Sequence, residues 1–293
     1  MKKFSLMNAL VMFVVAWSAF CSCEKMVLDE GSEVSAPEGN VTLRVSGFNI
    51  VPFDSRAVQN IADYCTRLHF VIFKADGTHV KTVTQKKGDD NYGQVSISLD
   101  PATYKLLVLA HSSSGNPENL TKPDQIHFTN TTGYSDTFYY YNDLVVTSED
   151  KTHSLTLERA TTMVKFTITD ELPAALKTVR CEWKGESGVF NATTGWGGTT
   201  NSDQVVLYDV SGLTAPLTFR LYTFMRQDEG TLTLNVRALS DAGVIAEKTF
   251  TDVPIKNHMV TEYSGNFFST PASSNGFSLT AETSWNVYQQ ITF

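Results

Sequence analysis

From Val41 onward the chain alternates apolar and polar residues in short runs rich in Val, Ile, Thr, Phe and Tyr, separated by turn residues. A period of two puts alternate side chains on opposite faces of an extended strand, whereas a helix would repeat every 3.6 residues. In the first half the runs predict strands at 41–47, 67–74, 79–84, 94–99, 104–110, 138–147 and 153–157. In the first of these, Val41, Leu43 and Val45 share one face and Arg44 lies on the other. Asp76-Gly77 between two runs is a strong hairpin signal, and Asp100-Pro101 starts a turn. A second set is predicted at 163–169, 178–184, 204–210, 217–224, 231–239, 244–251, 258–268 and 285–293. The sole helical pattern is short, near 57–64. Strands at this spacing predict an all-β fold of two tandem β-sandwich domains, 40–158 and 159–293. Open sandwiches have edges that must be covered or used.

The N-terminus follows a different pattern. Lys2 and Lys3 precede a twelve-residue apolar run, Ala9 to Phe20. As a helix it would rise about 18 Å, short of the roughly 30 Å hydrocarbon core, so it reads as a secretory signal over residues 1–22. Ser22 before Cys23 fits a bacterial lipoprotein signal, in which the Cys23 thiol is acylated and becomes the first mature residue. An ordinary signal peptide with incidental cysteines is the competing reading. Residues 23–39 carry Glu24, Asp29, Glu30, Glu33 and Glu38 against Lys25, with no apolar period, and predict an acidic tether.

Composition narrows the partners. With 42% hydrophobic and 18% charged residues the chain is globular, and its formal charge of −8 without any basic run argues against nucleic acid. Four cysteines cannot form a disulfide scaffold. Cys65 and Cys181 read as buried free thiols, with an interdomain disulfide as the minority alternative.

Catalytic chemistry is not visible. The six histidines (His69, His79, His111, His127, His153, His258) have no metal-ligand spacing, and His69 sits in an apolar strand where a satisfied core histidine is expected. There is no nucleophile elbow and no phosphate-cradling loop, so no catalytic residue, metal or cofactor is expected. Asp89-Asp90-Asn91 reads as a turn. Phe138-Tyr139-Tyr140-Tyr141 could stack a glycan, but alternate aromatics in a strand more simply pack a core.

Several segments carry a family resemblance. Leu157-Glu158-Arg159-Ala160-Thr161-Thr162-Met163-Val164-Lys165-Phe166 resembles the Leu-x-Arg segment that opens the second domain of the fimbrillin superfamily of Bacteroidetes. Asp100-Pro101-Ala102-Thr103-Tyr104-Lys105-Leu106 onward to Ala110 is similar to the late strand of its first domain. The run from Asn257 through Gly265 to Phe267-Phe268, and Glu282-Thr283-Ser284-Trp285 before the last strand, are similar too. The resemblance implies two transthyretin-like sandwiches and a role in surface fimbriae, closest to the lipid-anchored anchor or minor subunits. Shaft subunits of that superfamily lose their first strand by cleavage after an Arg and accept a donor strand from a neighbour. Anchors keep both lipid and strand.

On that pattern, cleavage here would fall at Arg44 or Arg56, and both read equally as surface charges. The candidate donor strand is 285–293, with Trp285, Val287, Ile291 and Phe293; alternatively it is an edge strand closing the second domain. The expected role is a structural, non-enzymatic subunit of fimbriae at the outer membrane, with other fimbrial subunits as partners. The alternative is a glycan-binding surface lipoprotein of a polysaccharide-uptake system, using Tyr139–Tyr141 or Trp196.

Overall fold

A computed structural model describes residues 40–50, 60–149, 151–198, 203–269, 277–281 and 289–292. In the first half the strands are β1 (Val41–Ile50), β2 (Arg67–Lys74), β3 (His79–Lys86), β4 (Gln94–Ile97), β5 (Ala102–His111), β6 (Ile126–His127), β7 (Thr137–Val146) and β8 (Lys151–Arg159). Then follow β9 (Thr162–Ile168), β10 (Thr178–Lys184), β11 (Val189–Asn191), β12 (Trp196–Gly197), β13 (Gln204–Asp209), β14 (Leu217–Thr223) and β15 (Glu229–Ser240). The last are β16 (Gly243–Lys256), β17 (Val260–Gly265), β18 (Phe277–Ala281) and β19 (Gln289–Thr292). The fold is all-β. The helix expected near 57–64 is, within the described residues, one 3₁₀ turn, Ile61–Asp63, started by the Asn60 side chain accepting the Ala62 N–H.

Local chemistry explains the strand ends. Gly77 takes φ +86° at the β2–β3 hairpin, a left-handed conformation that suits glycine, and Asp76 accepts the Thr78 N–H at 2.8 Å. In β1 the inward alternation of Val41, Leu43 and Val45 is broken by a register shift against β8 between Val45 and Gly47. The bulge moves the inward face by one position, so Phe48 points into the same core and the strand runs on to Ile50.

The first sheet has the order β19-β1-β8-β7-β5-β2-β3, with β4 also on β1. The β7–β8 pairing is limited to Phe138 with Arg159 and Tyr139 with Glu158. Across that short seam the sheet folds over, because strands from both its ends share one core: Leu43 and Phe48 of β1, Phe70 of β2, Val108 of β5 and Leu157 of β8. The second half is built from sheets β13-β10-β15-β16 and β14-β9-β17-β18 around Phe166, Trp183, Phe219, Val236 and Phe250.

A third sheet, β12-β11-β6, draws strands from both halves. Its Ile126 and Phe190, with Phe128 and Phe224, pack on Val71, Phe73, Leu107 and Leu109 of β2 and β5. Those two strands are therefore buried on both faces, which is why they read as continuous apolar runs. Joined this way, Pro37–Phe293 forms one compact unit.

Candidate functional site

The first-strand position is where sequence and fold converge. β1 has neighbours on both sides: β8 runs parallel along it from Val41 to Asn49, while its other edge is shared by β4 at Val41–Arg44 and β19 at Gly47–Ile50. Its inward residues Val41, Leu43, Val45 and Phe48 are 1, 0, 3 and 0% exposed. Burying four such side chains contributes roughly 6–12 kcal/mol, an upper estimate. That is as large as the whole net stability of an ordinary domain. The first core therefore needs a strand in this position, whichever chain supplies it.

Arg44 projects to solvent, but its backbone lies in the ladder between Gln94 of β4 and Ser154 of β8. A protease needs an extended peptide with free edges, and this one has none in the folded state. Cys23 and the signal, the tether, Arg56, Trp285, Val287 and Phe293 lie outside the described residues. Ile291 lies in β19, opposite Phe48. Within the described residues, Gln289–Thr292 thus pairs with the sheet of the first half, and β18, on β17, extends the second half.

Next to this site the Leu-x-Arg segment gains a physical role that the sequence did not disclose. Arg159, 3% exposed, donates from Nε to Asp136 Oδ1 at 2.9 Å and from Nη2 to Oδ2 at 2.7 Å. Thr161 Oγ1 donates to the same carboxylate at 2.9 Å, and the guanidinium lies 5.1 Å from the Phe138 ring centroid. This bidentate pair fixes the end of β8 where the chain passes into β9. At the far end of β17, the N–H groups of Phe267, Phe268 and Ser269 donate to Asp170 at 2.8, 2.7 and 2.7 Å. Burial would raise the Asp170 carboxyl, but these three donors outweigh it and hold it below its usual range.

The aromatic run resolves into packing: Tyr140 lies against the first core, and Tyr139 and Tyr141 against the cluster between the halves. Cys65 and Cys181 are free and buried, one in each main core, and burial raises the Cys181 thiol to about 12. Among the described residues no cluster of three or more His, Cys, Asp or Glu could hold a metal ion, and no helix is long and apolar enough to cross a membrane.

Beside β11 and β12 lie two adjoining cavities of about 720 and 510 Å³ that share Gly197 and Gly198. β11 and β12, beside which they lie, are three and two residues long, too short to leave a period in the sequence, while Glu229, Gly230 and Thr231 of β15 line the larger one. The available signal was glycine density: Gly185, Gly188, Gly195, Gly197 and Gly198 fall within one stretch.

Residues 33–287 match a family model described as a family of unknown function, DUF6562. No curated protein matches the sequence. In fold the chain is similar to solved structures of Bacteroidetes adhesion and fimbrial proteins. A candidate cell-adhesion protein from Bacteroides ovatus has 10% identity over 88% of this chain and 98% of its own, with a TM-score of 0.48. The fimbrial anchor protein Mfa2 from Porphyromonas gingivalis has 11% identity over 82% of this chain and 94% of its own, with a TM-score of 0.40. The tip fimbrial protein Mfa3 of the same organism has 10% identity over 86% and 99%, also at 0.40.

Proposed function

The chain belongs to the DUF6562 family, and we propose that it is a structural subunit of surface filaments, held at the outer membrane by a lipid on Cys23. In this reading it keeps its own first strand, as an anchor or accessory subunit does, and meets neighbouring subunits by strand pairing. The observation that carries the proposal is β1: a strand paired on both edges that fills the first core with four buried side chains. An incoming strand at such a position would satisfy unpaired backbone groups and an open core at once. The sequence motifs shared with fimbrillins support the same reading.

The reading treats Arg44 as a surface charge and not a processing site, because its peptide is paired on both sides. It treats the segment from Trp285 to Phe293 as the donor, since β19 already lies antiparallel to β1 at Gly47–Ile50. Deleting the gene and counting filaments on cells and in the medium tests the role. Filaments shed into the medium are the expected result; loss of all filaments would make the chain a main building block. Unchanged filaments would refute the proposal.

A further inference from the structure

The small sheet β12-β11-β6 buries one face and presents the other. Directly opposed residues share a face, so the pairs Val189–His127 and Asn191–Trp196 lie on its outer side while Phe190 and Ile126 turn inward. Trp196 is only partly covered by the second core. Asn119, Asp124 and Gln125 rim this face around the 510 Å³ cavity. Their side chains have no hydrogen-bond partner among the described residues.

Across Gly197-Gly198 the 720 Å³ cavity holds Glu186, which is 5% exposed. Its Oε2 accepts the Arg226 N–H at 2.7 Å, and its Oε1 has no partner among the described residues. A Cβ on Gly230 would stand 2.6 Å from that Oε1, so glycine there leaves the carboxylate its room. Burial raises the carboxyl of Glu186, and the Arg226 N–H and charge offset only part of the rise. That oxygen opens on the cavity and can accept a hydrogen bond from a hydroxyl that enters it.

We propose that this trough binds an uncharged, hydroxyl-rich oligosaccharide that crosses the Gly197-Gly198 strip. Planar amides and carboxylates supply the paired donors and acceptors that neighbouring hydroxyls need. Asn119, Asp124 and Gln125 do so on one side, where Asn191 adds its Nδ2 donor while its Oδ1 accepts from Thr193, and on the other a hydroxyl donates to Glu186. Gly197 and Gly198 pack so closely that a Cβ would meet Phe224 O at 2.5 Å and Val189 Cγ1 at 2.9 Å, so the strip lies flat against the protein between the two cavities. Trp196 offers an aromatic surface beside Asn191. Asp124, Glu186 and Glu229, the last paired with Lys256, outnumber Arg226 in the lining and disfavour an acidic glycan, and the lining lacks the apolar pockets that an extended peptide would require. The site stands apart from β1, so it does not depend on the filament role.

Affinity electrophoresis of the full chain through gels containing soluble starch, xylan, galactomannan or polygalacturonate tests the site. At least one neutral polysaccharide should retard the protein, and polygalacturonate should not. The variant Asn119→Gly/Asp124→Ala/Gln125→Ala changes only exposed residues and puts at 119 a residue that suits its φ of +58°; it should keep its melting temperature and lose about tenfold in affinity, and Glu186→Gln should weaken binding as well. Absence of retardation by all three neutral polymers would overturn the proposal. So would retardation undiminished in the triple variant, or stronger retardation by polygalacturonate than by the neutral polymers.

Discussion

His69 and His111 are fully buried, with their Nε2 atoms 3.0 Å apart. The Ser113 N–H donates to His111 Nδ1, so His111 carries its proton on Nε2 and donates to His69 Nε2; His69 Nδ1 then donates to Thr84 Oγ1. The chain of bonds is complete only with both rings neutral. Burial lowers His69 to about 4 and His111 to about 2, the latter also through its neighbour His69. A base lowered on folding gives full stability above its unfolded value near 6.5 and loses it as pH falls toward the folded value. Melting temperature should therefore drop between pH 6.5 and 4, at up to about 1.4 kcal/mol per pH unit for each ring. A flat profile there, or the same slope in His69→Leu/His111→Leu, would contradict this. Both buried thiols should resist iodoacetamide until the protein is unfolded, as a mass shift would report. Arg159→Met leaves Asp136 without its buried partner and should cost about 3 kcal/mol in urea unfolding.

At the scale of elements, alternation in the sequence locates nearly every long strand, because a half-buried strand imposes a period of two. The 67–74 and 178–184 runs match β2 and β10 end to end. Where the reading fell short, a local irregularity hid the period. The β1 bulge puts Phe48 out of phase with Val45, so the strand seemed to end at Gly47. The sheet β12-β11-β6 is not legible because its strands are short and β6, which pairs with β11, lies in the other half of the chain. Phe48→Ala should destabilise the protein by about 3–5 kcal/mol. Hydrogen exchange in that variant should speed up first in β1 and in its neighbours β4 and β8; unchanged protection there would show that β1 does not support the first core.

The whole molecule joins two hydrophobic cores through a third, and its last strand returns to pair with its first. The all-β class is readable from strand spacing, but the joining of the two halves through a third core is not, because the sequence of β2 and β5 shows two buried faces without naming what covers the second. The compartment rests on the N-terminal signal, and the filament role on the motifs and on β1. The account turns on whether this first strand stays with its chain. The intact mass of the protein extracted from cell envelopes answers that directly. The account predicts one species running from an acylated Cys23 to Phe293. A chain beginning at Val45 or Ala57, after cleavage at Arg44 or Arg56, would contradict it.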